Sequence, residues 1–176
     1  MPAEPSEAAE PDPGAGRHLA PKPMSASRLT TVNLVFPGDT NPRGTIFGGR
    51  VLQWIDMIGA MAAQTHCRQV VVTVSMDAVE FRAPIYLGEY AILTATVNRA
   101  WRSSMEVQVT VEAEHPLSGE RVTSVEAFLT FVALGPDGRS APVRAVQPET
   151  EAEWARYEAA QQRRAARLAF KSEHGG

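Results

Sequence analysis

The most regular stretch of the chain lies between Met105 and Ala113. Met105, Val107, Val109, Val111 and Ala113 take one side, and Glu106, Gln108, Thr110 and Glu112 take the other. A period of two is that of a strand with one face on a core and one face in water. Tyr90–Asn98 alternates in the same way, with Ala91, Leu93, Ala95 and Val97 set against Thr94, Thr96 and Asn98. His115–Glu120 has the composition of a hairpin turn leading into a strand over Arg121–Leu134, which Gly135-Pro136-Asp137-Gly138 stops. Upstream, Val70–Phe81 reads as one central β-branched strand, broken by Arg82-Ala83-Pro84 and Gly88. Leu29–Phe36 reads as a first strand that Pro37-Gly38-Asp39 ends. Between these two strands, Gly48–His66 is apolar nearly all round, the mark of a buried helix. Its small residues Gly59, Ala60, Ala62 and Ala63 would let it lie close to the strands.

The expected order is strand, long helix, four strands, tail helix: an α+β layout with one antiparallel sheet curled around one helix. The tail helix is expected over about 150–170. Thr150 is its N-cap, Glu151 and Glu153 lie in the first turn, and Arg163, Arg164 and Arg167 lie near the far end, an order that suits the helix dipole. Trp154, Tyr157 and Leu168 form a thin apolar stripe, and the arginines read as a solvated face. Residues 1–24, rich in Pro, Ala, Glu and Gly, read as a disordered leader, with Met24 a candidate alternative start. Residues 25–140 form the main domain, and 141–176 a C-terminal extension.

Composition narrows the function. A chain of 176 residues, 44% hydrophobic, can bury one core. A net charge of -3 argues against a general nucleic-acid binder. The lone Cys67 excludes a disulfide within the chain and a Cys-rich zinc site. No apolar run approaches the roughly 20 residues of a membrane span, and no secretory signal pattern opens the chain, so a cytoplasmic setting is the default. Serine-elbow, Walker, dinucleotide and Cys-x-x-Cys motifs are all missing.

Candidate chemistry concentrates in Asn41–Asp56, where a Pro- and Gly-rich loop runs through Gly48-Gly49 into the helix. Asp56 stands among Val51, Leu52, Trp54, Ile55, Met57 and Ile58. At about 3.6 residues per turn it shares a helix face with Gly49. A carboxylate so placed is costly unless it has a partner or a use. Gly48 and Gly49 stand where unpaired N–H groups point out of a helix start, able to stabilise an oxyanion. Asn41 offers an amide for orientation, or serves as a plain turn residue. His66 and Cys67 are adjacent, hence about 100° apart on a helix, which disfavours a Cys–His pair.

This order resembles the hotdog-fold acyl-CoA thioesterases of the bacterial YciA and brain acyl-CoA hydrolase type. The resemblance rests on Asn41-x-x-Gly44-x-x-x-Gly48-Gly49, Asp56, Val72–Asp77, Asn98–Met105 and Val143–Arg167, and covers roughly residues 27–170. It implies hydrolysis of acyl-CoA to a fatty acid and CoA, without a metal or other cofactor. It also implies a homodimer extended edge to edge, commonly a trimer of such dimers, in which Asn41 of one subunit and Asp56 of the other face one thioester. Asp56 would be the general base or a direct nucleophile, and Gly48 and Gly49 the oxyanion donors. CoA phosphates call for positive charge, so Arg82, Arg99 and Arg102 are candidates. Ser103 and Ser104 are candidates for the pantetheine arm, and Thr73 and Ser75 for the acyl side. Rival readings are a non-catalytic acyl-CoA binding module and a hotdog dehydratase.

Overall fold

The computed structural model describes residues 20–77 and 79–174. The strands are β1 (Lys22–Pro23), β2 (Leu29–Leu34), β3 (Val70–Met76), β4 (Glu80–Phe81), β5 (Tyr90–Ala100), β6 (Ser104–Glu114), β7 (Arg121–Leu134) and β8 (Val146–Gln147). The helices are α1 (Gly48–Cys67) and α2 (Glu151–His174). One antiparallel sheet runs β2-β5-β6-β7-β3, with β4 also on β7, and β1 pairs with β8 in parallel. The sheet curls around α1, as the sequence implied, and α2 lies on its outer face.

Alternation fixes which side faces the helix. Ala91, Leu93, Ala95 and Val97 of β5, Met105, Val107, Val109 and Val111 of β6, and Val125, Ala127, Leu129, Phe131 and Ala133 of β7 are all fully buried. From α1 come Val51, Ile55, Ile58, Ala62 and Ala63. Gly59 permits the close approach: a Cβ there would lie 3.1 Å from the ring of Phe131. Gly59→Val should therefore destabilise the fold by about 1–3 kcal/mol through overpacking, visible as a lowered urea midpoint with an unchanged slope. The helix ends at Arg68 in the left-handed region (φ 59°), its N–H closing on the Gln64 carbonyl at 2.7 Å.

Three sequence expectations need correction. The single strand Val70–Phe81 is broken: β3 carries a register shift between Thr73 and Ser75, and β4 resumes alone further along β7. Most of the proposed leader, residues 1–19, lies outside the described residues, but its last part is built into the fold. Met24 is fully buried in the core, where its large apolar side chain is removed from water.

The third concerns the outer face of β6, expected to be wet. Glu106 there is fully buried. Arg163 of α2 grips it with Nη2–Oε1 at 2.7 Å, and Arg167 donates to Glu106 Oε2 at 3.2 Å and to Asp77 Oδ2 at 2.6 Å. The arginines of the tail helix are thus its anchor, whereas Trp154 and Leu168 of the supposed apolar stripe stay half exposed. The N-cap expectation holds. Thr150 Oγ1 accepts from the Glu153 N–H at 3.2 Å, while Glu153 Oε2 accepts from the Thr150 N–H at 3.3 Å, a reciprocal capping box. Among the described residues no helix is long and apolar enough to cross a membrane.

Candidate active site

The loop ahead of α1 is closed by its own hydrogen bonds. Asn41 N–H donates to the Thr45 carbonyl at 2.9 Å, and the Gly44 N–H donates back to the Asn41 carbonyl at 3.0 Å, with Gly44 at φ +75°. The Asn41 side chain is used at both ends: Oδ1 accepts from the Arg43 N–H and Nδ2 donates to Thr45 Oγ1, each at 2.9 Å. Within one chain Asn41 is therefore a turn residue, keeping one amide hydrogen and one lone pair for a ligand. The Phe47 N–H ties the loop exit to the Asp39 carbonyl at 2.8 Å. This hands the chain into α1 with Gly48 and Gly49 as its first two residues, whose N–H groups have no acceptor one turn earlier.

Further along α1, Asp56 is half-buried, and it is not unpaired: Thr73 Oγ1 of β3 donates to its Oδ1 at 2.7 Å. Sequence reasoning placed Thr73 on the acyl side of the site and missed this contact. The two residues are brought together by the strand returning alongside the helix, which no local spacing encodes. The hydroxyl occupies one oxygen and orients the carboxylate, leaving Oδ2 without a hydrogen bond among the described residues. At about 1.5 Å per residue, Asp56 stands roughly 10 Å along the helix from Gly49. That separation is too long for the N–H groups at the helix start and the carboxylate of the same chain to meet at one carbonyl.

The remaining candidates are scattered. Arg82, half exposed, reaches Glu126 at 3.3 Å. Arg99 is turned to α2, where it lies 4.0 Å over the Tyr157 ring and donates to the Tyr157 carbonyl at 3.3 Å. Ser104 accepts from Arg164 at 3.0 Å. Arg102 is exposed at the β5–β6 turn beside the half-buried Ser103, and its side chain has no partner among the described residues. Ser75 is half-buried near the register shift of β3. Among the described residues no three His, Cys, Asp or Glu side chains are grouped to hold a metal.

His66 and Cys67 do not form a nucleophilic pair. Burial pushes the Cys67 thiol up, the wrong direction for a thiolate. His66 is fully buried, with Nε2 2.9 Å from the Arg144 carbonyl, and burial holds its imidazole below the ordinary 6.5. Below about pH 6.5 the unfolded chain takes up a proton that the folded imidazole refuses, so stability falls as the pH drops from there toward the folded value. Melting temperature should decline between pH 7.5 and 5.5 for the wild type, and less steeply for His66→Gln.

Comparison with known proteins gives these elements a family. The thioesterase superfamily model matches residues 43–120. An acyl-CoA thioester hydrolase of Bacillus subtilis, itself uncharacterised, is 45% identical over 72% of this chain and 74% of its own length. An apo-hexameric acyl-CoA thioesterase superposes with a TM-score of 0.83 at 42% identity, covering 86% of this chain and 97% of that one. The acyl-CoA hydrolase of Staphylococcus aureus, solved with butyryl-CoA and CoA, superposes at 0.81 with 38% identity over 86% and 93% of the two chains. That enzyme has also been solved with alanine in place of an asparagine, an aspartate and a threonine in turn. Asn41, Asp56 and Thr73 follow one another here in the same order and at the same spacing. The human and rodent cytosolic relatives are longer, this chain spanning 37% of each. The chain belongs to the thioesterase superfamily, among its hotdog acyl-CoA thioester hydrolases.

Proposed function

We propose that the protein hydrolyses acyl-CoA to a free carboxylic acid and CoA at a site completed by two copies of the chain. The observation that carries the two-copy site is the separation, about 10 Å along α1, between the Gly48–Gly49 donors and the Thr73-held Asp56. A second copy supplies the missing half: donors from one chain and the carboxylate from the other meet one thioester. The surface beside Asp56 suits this. β3 is the end strand of its sheet, and Val70, Val72, Val74, Met57 and Met61 are exposed there at 63%, 42%, 51%, 55% and 46%. An open edge flanked by apolar side chains is what a second copy would cover. The hexameric state of a 42%-identical relative supports assembly beyond the dimer.

In this reading the thioester oxygen lies against the Gly48 and Gly49 N–H groups, and Asp56 Oδ2 takes a proton from an attacking water. The water oxygen bonds to the carbonyl carbon, negative charge gathers on the former carbonyl oxygen, and collapse breaks the C–S bond. The proton passes to the departing thiolate. Asn41 orients water or carbonyl with its remaining amide hydrogen. The order and spacing shared with the three residues replaced in the Staphylococcus aureus enzyme support these roles. No resident cofactor is needed, and a cytosolic setting, as named for the mammalian relatives, belongs to the same proposal.

The test is release of free thiol from a panel of acyl-CoAs by the full chain. Chain-dependent release is expected. CoA binding without any release would identify a binding module, and interconversion of enoyl- and hydroxyacyl-CoA a dehydratase.

A further inference from the structure

Strand β3 changes the face it presents halfway along. Val71 pairs with Ala133 and Thr73 with Phe131, so both turn inward with the buried side of β7. Past the register shift the order reverses. Ser75 pairs with Thr130 on the outer face, and Met76 pairs with Leu129 on the inner one, where it packs on the core. Val74 is passed over by the pairing and stands half exposed. An uninterrupted strand would put residues 71, 73, 75 and 77 on one side. The extra residue sends Asp77 to the other side, where its N–H donates to the Phe128 carbonyl at 2.9 Å and its carboxylate meets α2.

The shift is therefore held from both faces of the sheet. Inward, Thr73 Oγ1 donates to Asp56 Oδ1 on α1 at 2.7 Å. Outward, Arg167 of α2 donates to Asp77 Oδ2 at 2.6 Å, and the same guanidinium is steadied by Glu106 Oε2 at 3.2 Å. A bulge bends its strand and sharpens the local twist, so the angle at which the neighbouring Thr73 offers its hydroxyl follows from where the extra residue sits. With Asp77 released, the far half of β3 gains an alternative: a slide of one residue closes the bulge and carries Ser75 into the place of Met76. The inward burial of Met76 opposes that slide, and the Arg167–Asp77 ion pair is the second restraint on it.

We propose that Arg167 is a positioning residue for the hydrolysis: by holding Asp77 it keeps the bulge of β3 at Val74, and the bulge aims Thr73 at the carboxylate of Asp56. This rests on the thioesterase reading. Arg167 acts through β3 and meets no reacting atom. The tail helix, whose arginine lies 90 residues beyond Asp77 in sequence, thereby becomes part of what sets the catalytic rate.

The experiment compares kcat and KM for acyl-CoA hydrolysis by wild type, Asp77→Ala, Arg167→Lys, Thr73→Val and the double variant Asp77→Ala with Thr73→Val, after melting curves show each folded. Asp77→Ala leaves Arg167 on Glu106, so α2 stays docked. It should lower kcat by about tenfold, with KM within about twofold of wild type. Arg167→Lys, which keeps a cation for Asp77, should retain most of the rate. Thr73→Val should cost at least as much as Asp77→Ala, and the double variant should be no slower than Thr73→Val alone, because both changes break one chain of contacts. Losses that multiply would overturn the proposal, and so would Asp77→Ala at the wild-type kcat. Hydrogen exchange reads the bulge without turnover: the amides of residues 74–76 should exchange faster in Asp77→Ala than in wild type, with β5 unchanged. Equal exchange in the two proteins would show that the bulge does not need Asp77, and the proposal fails. A wild type that hydrolyses no acyl-CoA would instead sink the thioesterase reading, and exchange would still decide whether Arg167 holds the bulge.

Discussion

Asp56→Asn is expected to lower kcat by about 10²–10⁴-fold, the usual worth of a positioned general base, with CoA binding largely kept. The amide is nearly isosteric and can still accept from Thr73 Oγ1, so the helix and the hydrogen bond to β3 survive while proton acceptance is lost. Stopped-assay thiol release against several acyl-CoAs reads the rate, and competition by free CoA reads the binding. A loss confined to KM would mean that Asp56 holds substrate without acting on it. The half-site geometry adds a sharper version. Chains carrying Asp56→Asn, refolded together with chains carrying a bulky residue at Gly49, should recover a minority of active sites, because a mixed pair contains one intact carboxylate opposite one intact set of donors. Failure to recover any activity from pairs shown to mix would place both halves of the site in one chain.

Glu106→Ala should be the most destabilising single change on the outer face, by about 3–5 kcal/mol. The carboxylate is fully buried and accepts from Arg163, Arg167 and Asn98, the last at 3.4 Å. Removing it leaves the Arg163 guanidinium, stacked 3.8 Å over Phe128, without its counter-charge in a poorly solvated position. Arg167 retains Asp77 and should suffer less. Chemical denaturation gives the loss, and hydrogen exchange over 151–174 should show α2 opening ahead of the sheet. The combination Glu106→Leu with Arg163→Met should recover much of the stability, since the cost arises from an unpaired charge and an apolar pair of similar volume has none. No recovery would mean that Asn98, whose Oδ1 is already buried without a partner, is what needs the carboxylate.

The sequence made the fold legible wherever burial follows a period. β5, β6 and β7 each turn one alternate set of residues to the helix, and the run Gly48–His66 could only be the element they enclose. It misled where a distant segment covers a face: the alternation of β6 is real, yet Glu106 lies under a helix that begins 45 residues later. The break between β3 and β4 was equally hidden, since a register shift costs one residue and leaves composition unchanged. For the candidate site, the loop-to-helix segment could put forward Asn41, Gly48, Gly49 and Asp56 because the backbone and carboxylate patterns that suggest them are local. The Thr73 contact, the turning of Arg99 and Ser104 toward α2, and the reach of Arg167 to Asp77 depend on tertiary approach, which spacing along the chain does not record.

The grip of α2 on Glu106 also has a meaning in time. A ribosome delivers Glu106 some 57 residues before Arg163, its first cationic partner. Until then the carboxylate must stay hydrated, so the outer face of the sheet cannot dry while the inner face is already free to collapse on α1. α2 thus closes over a sheet whose inner face is already free to pack, and the surroundings of Glu106 dry only once Arg163 and Arg167 have emerged.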